Sequence, residues 1–506
     1  MSFSRIPHAS SVYLHEFERL NRNQAHQVSQ HLPYRLNALS CRRVEAFSVK
    51  SPLLTRYISK YGIEDINSKP LVRKENLKTM YQIKLGKPSN QGNSGRCWIF
   101  SGLNMMRIGV LSRYGEEFHY SHNFVAFWDK LERANYFLEK MIEMRNIHPL
   151  DIEIRDFSNY LITDGGQWEY FCNIVKKYGL VPDYAMPETE FSRNSVGYME
   201  TLKCRLSEVG GVIHQLAKAD IKNPKIQEIK NQALNEVYSI LTKYLGIPPK
   251  SFVWNESNDT AKCSMDAESD QEDYFPYEIK EEESGEDVIV THNLRMPKML
   301  TPLEFYRRSK VDLDEIVHLT HIPYHEENMV LEGKEIKNMV GGKEFRGLNV
   351  NIDVIIQAIF QSIINGNAVP MAADVKHLDE RVNFFSIQND LKDEIFDFDS
   401  SIKLSKGDRL LYGATSCAHL MNIVGCDDPV ENKLPVGIEE EYGRLWKIEN
   451  SWEDQDELIM SDSWLREYGY EFFILKKYLP ENLQRVWDNP KDRVKEITPQ
   501  DPIGKF

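Results

Sequence analysis

The spacing of apolar residues changes along the chain, from a helical pattern in the first part to strand-like runs in the last third. Apolar side chains recur every three or four positions from Cys97 onward and again within 123–142 and 223–246, which is typical of amphipathic helices. After a further helical stretch at 353–363, short apolar runs dominate, at 368–375, 419–424, 445–448 and 470–475. This order favours an α+β fold in which two subdomains meet at a cleft.

Composition and charge exclude several classes of protein. The chain has 506 residues, 41% of them hydrophobic and 27% charged, which is ordinary for globular proteins and excludes wholesale disorder. The net charge of −14 argues against a main role in binding nucleic acid or an anionic membrane. No apolar run approaches the ~18 residues of a membrane-spanning helix, and the first residues lack an apolar signal core. We therefore expect a cytoplasmic protein.

The chain has few cysteines, seven in 506 residues. The seven cysteines form no C-x-x-C pair, which argues against a disulfide framework or a zinc ribbon and favours a reducing compartment.

Residues 255–287 hold 13 Asp and Glu against two Lys, a net charge of −11. A run of this kind is usually a solvated loop or insertion, and we predict one here.

The most informative stretch is the loop that leads into the first predicted helix, residues 91–98, Gln-Gly-Asn-Ser-Gly-Arg-Cys-Trp. Cys97 lies where unpaired amide N–H groups and the helix dipole stabilise a thiolate, so we predict a lowered pKa for its thiol. Gln91 can donate a side-chain N–H to an oxyanion that develops beside the Cys97 amide. A single cysteine at a helix start is more often structural, but the loop and the glutamine favour a nucleophile.

A base and a residue that orients it are found in the strand-rich part. His419 begins an apolar strand, and Asn450 ends another strand just before Trp452. The Asn450 side-chain oxygen can accept a hydrogen bond from the imidazole, while Trp452 excludes water from that bond. Taken alone, His419 is more often a core histidine and Asn450 a turn residue. Together with Cys97, they predict a nucleophile, a base and an orienting residue.

In these motifs the chain resembles the papain-like cysteine peptidases, and within them the bleomycin hydrolase and aminopeptidase C branch. The papain pattern appears as Gln91, Cys97-Trp98, His419 and Asn450-Ser451-Trp452. The stretches that resemble this branch in particular are 94–100, 127–133, 164–168, 301–306 and 373–377.

The resemblance implies an α+β, papain-like two-subdomain fold with a helical half, a β-barrel-like half and large helical insertions. We expect five segments, which are an N-terminal arm (1–70), the helical half of the core with Cys97 (71–180), a helical or hook insertion that includes the acidic segment (181–345), the strand-rich half with His419 and Asn450 (346–490), and a C-terminal tail lying in the cleft (491–506).

The resemblance also implies a cytoplasmic thiol aminopeptidase that hydrolyses peptides through a thioester and assembles as a homohexamer around an inner chamber. Cys97 attacks the peptide carbonyl, His419 holds the thiolate as an ion pair and then protonates the leaving amine, and no metal or organic cofactor is required. The residues expected to contact substrate are Gly95, Trp98, Trp452 and Phe506.

The tail of this family lies in the cleft, and its carboxylate helps hold the amino terminus of the substrate. Here Gln500 replaces a tryptophan, and Lys505 and Phe506 alone follow the glycine. A tail one residue shorter retracts the carboxylate by about 3.3–3.6 Å. Dipeptide release or endopeptidase action is therefore an alternative. Two further alternatives do not depend on the tail: acyl transfer, since an amine can capture a thioester in place of water, and a non-catalytic scaffold or nucleic-acid-binding role of the same assembly.

Two other groups of residues are set aside. His318, His321 and His325 have a spacing that metal ligands could share, but Pro323 interrupts them and no paired cysteines accompany them. We predict that they lie on the surface. Cys417 precedes His419 by two residues and is interpreted as a small buried strand residue without a redox role.

Overall fold

The structure is a computed structural model. It describes residues 59–60, 77, 79–115, 117–254, 274–283, 286–295, 298–380, 382–387, 402–427 and 443–504. Most of the arm predicted at 1–70, residues 255–273 of the acidic segment, and the predicted substrate contact Phe506 lie outside the described residues.

Helices dominate the first part of the chain. Those of the described residues are α1 (Cys97–Ile108), α2 (Leu111–Tyr114), α3 (His122–Glu143), α4 (Ile152–Leu161), α5 (Trp168–Tyr178), α6 (Glu190–Arg193), α7 (Val196–Ala219), α8 (Pro224–Leu245), α9 (Pro302–Arg308), α10 (Ile352–Ile364), α11 (Lys406–Leu411), α12 (Asp462–Tyr468) and α13 (Glu481–Asp488).

Strands dominate the last part. They are β1 (Tyr81–Gln82), β2 (Phe252–Trp254), β3 (Tyr274–Glu283), β4 (Glu286–Arg295), β5 (Lys298–Leu300), β6 (Ile316–Thr320), β7 (Met329–Gly333), β8 (Phe345–Asn349), β9 (Val369–Ala373), β10 (Leu378–Asp379), β11 (Phe384–Phe385), β12 (His419–Cys426), β13 (Leu445–Trp452), β14 (Gln455–Ser461), β15 (Gly469–Leu475) and β16 (Val494–Ile497). The prediction of a helical first part and a strand-rich last part is confirmed.

Local end signals set the limits of the long helices. In α8 the Asn223 side chain accepts a hydrogen bond from the Lys225 amide, Pro224 lies in the first turn, and Gly246 follows the last residue with a φ of 91°. In α3 the hydroxyl of Ser121 accepts from the Phe124 amide. Both helices lie within two residues of their predicted limits, because caps of this kind act over one turn of chain.

A mixed sheet carries the strand-rich part. Its strand order is β10-β11-β14-β13-β12-β9-β15-β6-β8-β7-β16, with β1 paired to β12. At the centre, β12 runs antiparallel to β9, with His419 opposite Ala373, and antiparallel to β13, with Asn422 opposite Glu449. Strands that begin far apart in the sequence are therefore neighbours in space.

Two apolar clusters lie on the two sides of β12. Leu420 packs with the helical part of the chain, whereas Met421 packs with Ile355 and Ile359 of α10. This alternation follows from the two-residue period of a strand. Helix α1 lies against β12, where the Ser101 hydroxyl donates to the Asn422 side-chain oxygen over 2.7 Å. The fold thus places the start of α1 beside the start of β12.

The acidic segment is not a loop throughout. Strands β3 and β4 form an antiparallel hairpin in which Tyr274 pairs with Arg295 and Glu283 with Glu286. The described part of the segment is therefore mostly strand, which the charge composition did not reveal, and the prediction of an insertion stays a prediction. In the described ranges, no helix combines the length and the apolar character that a membrane span requires.

The prediction that the three histidines lie on the surface is wrong for His318 and His325, which are buried, whereas His321 is half-buried. His318 is only 2% exposed, and its two ring nitrogens lie 2.9 Å from Glu169 Oε1 and 2.8 Å from Glu471 Oε2. Burial lowers the pKa of His318, but the two carboxylates outweigh it and raise the pKa to about 9. The histidine belongs to strand β6, which lies between β15 and β8 in the sheet, and its environment depends on residues distant in sequence.

This cluster predicts a loss of stability at alkaline pH. Since the pKa of His318 is raised on folding, its stabilising contribution is complete below about 6.5 and is lost as the pH rises through about 9. We expect His318→Gln to lower the thermal unfolding midpoint by roughly 2 °C at pH 6.5 and to have a smaller effect at pH 10. Unfolding curves of both proteins at the two pH values measure this, and an equal difference at both would contradict it.

Candidate active site

A cavity of about 980 Å³ brings four of the predicted site residues together. Gln91, Gly95, Cys97 and His419 all line it. Residues 416–418, which precede strand β12, and residues 497–500 of the tail complete part of its wall. The start of α1 and the start of β12 thus line the same cavity.

Cys97 is the first residue of α1 and is 7% exposed. The backbone amides of Leu420 and Trp98 donate hydrogen bonds to its sulfur, which favours the thiolate. Burial acts in the opposite direction and is larger, so the pKa of the Cys97 thiol is raised to about 11. The predicted lowering of this pKa is therefore wrong, because the degree of burial depends on the tertiary structure around the helix start.

His419 is held by the residue predicted to orient it. Its Nε2–H donates to the side-chain oxygen of Asn450 over 2.8 Å, and the ring of Trp452 stacks on the imidazole at 4.5 Å between centroids. Burial lowers the pKa of His419 to about 4. Because Asn450 occupies Nε2, Nδ1 is the nitrogen that remains for proton transfer with the thiol.

The two pKa shifts both favour uncharged side chains in the site. With the thiol pKa raised and the imidazole pKa lowered, the neutral thiol and neutral imidazole are favoured over the ion pair expected from the sequence. Burial is the cause in both cases, since it disfavours each charged form. The proton would then move from Cys97 to His419 during attack on a carbonyl rather than before it.

Gln91 is oriented from both ends of its side-chain amide. Its Nε2 donates to the carbonyl of Ser94 over 2.6 Å, and its Oε1 accepts from the hydroxyl of Ser451 over 2.6 Å. The Gln91 backbone amide also donates to the Ser451 carbonyl. One Nε2 hydrogen remains for the cavity. Sequence reasoning missed Ser451 as a site residue, although its place between Asn450 and Trp452 was a signal.

The residues predicted to contact substrate occupy different places. Gly95 lies in the cavity wall. Trp98 is 0% exposed, and its Nε1 donates to the Asp164 carbonyl, so it supports the loop from inside and the prediction of a substrate contact is wrong. Trp452 is half-buried and covers His419 instead of lining the cavity. Both tryptophan rings thus pack against other residues of the site.

Asp164 fixes the loop before Cys97, a role that the sequence analysis did not assign. Its carboxylate accepts from the Gly95 amide over 2.7 Å and lies 3.3 Å from Lys130 Nζ. Burial alone would raise its pKa, but Lys130 and Ser195 outweigh it and the pKa is lowered. Arg96, in the same loop, makes a bidentate pair with Glu188 at 3.0 and 2.8 Å. The loop that presents Cys97 is therefore held by charge on both sides.

The tail is tied down beside the cavity. Strand β16 pairs with β7, and residues 497–500 then line the cavity. The carboxylate of Asp501 accepts from the Tyr324 hydroxyl over 2.7 Å and lies 3.1 Å from His325 Nε2. Gln167 donates to the carbonyl of Ile503 over 3.3 Å. This part of the chain thus has a defined position, two residues short of its end.

Cys417 is a further thiol in the cavity wall. Burial raises the pKa of the Cys417 thiol well above its ordinary value. The nearby Lys406 acts in the opposite direction but has the smaller effect. No group of three or more His, Cys, Asp or Glu side chains in the described part of the chain is arranged to hold a metal ion.

The lowered pKa of His419 predicts that activity is lost on the acid side only at an unusually low pH. If the neutral imidazole of His419 is the base, kcat/KM falls only as the pH drops through about 4, against about 6.5 for an ordinary histidine. Initial rates on a peptide substrate from pH 3.5 to 8 measure this limb, with a re-assay at pH 7 to exclude denaturation. A midpoint near 6.5 would contradict the assignment.

Comparisons with known proteins agree with these motifs. A family model described as the Peptidase C1-like family matches residues 43–292 and 290–504. Aminopeptidase C of Lactobacillus helveticus is 31% identical over 439 residues, which cover 84% of this chain and 87% of that protein. Aminopeptidase W of Lactobacillus delbrueckii subsp. lactis is 31% identical, with 92% of this chain and 99% of that protein covered.

A vertebrate relative and a solved structure extend the comparison. Bleomycin hydrolase of Gallus gallus is 31% identical over 425 residues, covering 80% of this chain and 83% of that protein. The crystal structure of PepW from Lactobacillus rhamnosis is similar with a TM-score of 0.75 and 26% identity, covering 94% of this chain and 99% of that one. The similarity thus extends over both the helical and the strand-rich parts.

Proposed function

Because this chain belongs to the peptidase C1-like family, we propose that it is a cysteine aminopeptidase that removes N-terminal residues from peptides. The observation that carries the proposal is that Cys97 and the Asn450-anchored His419 line one and the same cavity. The names of relatives, aminopeptidases C and W and bleomycin hydrolase, support peptide substrates and exopeptidase action.

In the proposed reaction, Cys97 is the nucleophile and His419 carries the proton. The sulfur attacks the carbonyl carbon of the first residue as Nδ1 of His419 takes the thiol proton. The remaining Nε2 hydrogen of Gln91 and the Cys97 amide stabilise the oxyanion. His419 then protonates the leaving amine, so the C–N bond breaks and a thioester remains. Water hydrolyses the thioester, its proton passes back through His419, and the thiol is regenerated.

The tail supplies the argument for cleavage near the amino terminus. Residues 497–500 form part of the cavity wall, so we propose that they block the cleft beyond the first residue of a bound peptide. The tail carboxylate would then pair with the substrate ammonium group, as the family resemblance implies.

We also propose a papain-like arrangement of two subdomains with insertions, the five-segment division of the chain, a cytoplasmic location and a homohexamer. These rest on the resemblance to the aminopeptidase C and bleomycin hydrolase branch. Sedimentation velocity of the purified protein tests the assembly, since six chains of 59.0 kDa sediment far ahead of one.

A peptide ladder tests the activity. Peptides of 3 to 12 residues that share one sequence, incubated with the enzyme and followed by mass spectrometry, should lose single residues from the amino terminus in order. Pre-treatment with iodoacetamide should stop the reaction. Release of dipeptides or internal cleavage would overturn the aminopeptidase assignment, and no cleavage of any peptide would overturn the peptidase assignment.

A further inference from the structure

A buried polar network lies beneath the candidate active site. Nη2 of Arg107 lies 3.0 Å from Oε1 of Glu449, and Nδ2 of Asn422 donates to Oε2 of the same carboxylate over 3.1 Å. The Ser101 hydroxyl donates in turn to Oδ1 of Asn422, and Asn422 donates back to the Ser101 carbonyl over 3.1 Å. The network therefore joins one helix to two strands.

Each member of this network shares an element with one of the candidate catalytic residues. Arg107 and Ser101 belong to α1, which begins at Cys97. Asn422 is three residues after His419 on β12, and Glu449 immediately precedes Asn450 on β13. The two charged side chains are only 1% and 4% exposed, and none of the four residues lines the cavity. They can act on the site only through the backbone that they hold.

Strand pairing alone does not fix the position of Asn450. The pairing of β13 with β14 shifts register between Glu449 and Trp452, so the ladder is broken where Asn450 and Ser451 lie. Glu449 is the last residue before this irregularity that pairs on both sides, with Asn422 and with Glu457. An irregularity of this kind redirects side chains and needs another constraint to define them.

Stability alone does not account for an ion pair in this place. Burial lowers the pKa of Arg107 and raises that of Glu449, which shows that both charges are costly here. Buried ion pairs can often be replaced by neutral residues of similar size with little loss of stability. The ion pair joins α1, which carries Cys97, to β13, which carries Asn450. A role in fixing the geometry of the active site therefore explains it better than stability does.

We propose that Arg107, Asn422 and Glu449 are positioning residues that set the distance between Cys97 and the His419–Asn450 pair. The inference rests on the proposed function, which supplies the reaction that this distance controls. Since a displacement of about 1 Å can cost about 10²-fold in rate, a network that joins all three elements has direct kinetic consequences.

The test uses a double variant that removes both charges, Arg107→Met with Glu449→Gln. We expect thermal stability close to that of the unaltered protein, a fall in kcat of about tenfold or more, and little change in KM. The matched control is Lys230→Met with Glu139→Gln, which removes the ion pair that joins α8 to α3. This control should retain kcat.

A second readout is independent of peptide hydrolysis. The rate at which iodoacetamide modifies Cys97, followed by mass spectrometry of its peptide, should change its pH dependence in the double variant and not in the control. If the double variant fails to fold, Asn422→Ser, which keeps the ion pair but removes the amide link, replaces it with the same expectations.

The outcomes separate the two proposals. A stable double variant with unaltered kcat and an unaltered alkylation profile would overturn the positioning role. If the unaltered enzyme cleaves no peptide, the proposed function fails, while a changed alkylation profile would still support the positioning of Cys97 relative to His419.

Discussion

Replacing Cys97 with alanine is expected to abolish peptide hydrolysis, with a loss of at least about 10⁴-fold in kcat, while the fold remains intact. The reason is chemical, because no thioester forms without the sulfur and the other cavity residues only assist its formation. Alanine suits the first turn of α1 and removes a single buried atom. Hydrolysis of a peptide substrate and the thermal unfolding midpoint together measure the effect.

The matched control is Cys204→Ala. Cys204 is an exposed cysteine within α7, so its replacement makes the same chemical change away from the cavity. It should retain full activity. Turnover by the Cys97 variant at a rate near that of the unaltered enzyme would show that another group is the nucleophile, whereas loss of folding would be visible in the unfolding curve.

Local signals explain why much of the arrangement was predictable from the sequence. Asn223, Pro224 and Gly246 delimit α8 through contacts within one turn. The loop before Cys97 and the strands that carry His419 and Asn450 have equally local patterns. These patterns predict a nucleophile, a base and an orienting residue, in that order along the chain. The hydrogen bond between His419 and Asn450 agrees with the roles predicted for these two residues.

Features that depend on tertiary contacts were not predictable in this way. The pKa of Cys97 rises because the folded chain buries it, which no property of residues 91–98 reveals. His318 is buried between two carboxylates from α5 and β15, although the sequence around it led to the prediction of a surface position. The pair of Arg107 and Glu449 joins residues 342 positions apart. In each case the partner comes from a distant part of the chain.

Gln91 is the residue on which transition-state stabilisation should depend most strongly after the nucleophile and base. Its amide is held by Ser94 and Ser451, so it is already oriented before a substrate binds. Preorganised donors of this kind are worth more than flexible ones because no reorganisation is needed as charge develops on the oxygen. Replacing Gln91 should therefore lower kcat, and replacing Ser451, which orients it, should lower kcat by less.

We expect Gln91→Ala to lower kcat by about 10²–10³-fold with a small change in KM, because the missing donor acts mainly on the developing oxyanion. Ser451→Ala should give an intermediate loss, since it frees Oε1 of Gln91 but leaves the Nε2 bond to Ser94. Gln227→Ala, at an exposed position of α8, is the matched control and should retain kcat. Steady-state kinetics on one peptide substrate compare the three variants. A kcat for Gln91→Ala within about threefold of the unaltered enzyme would place oxyanion stabilisation on the backbone amides of the helix start alone, because those are the donors that the substitution leaves in place.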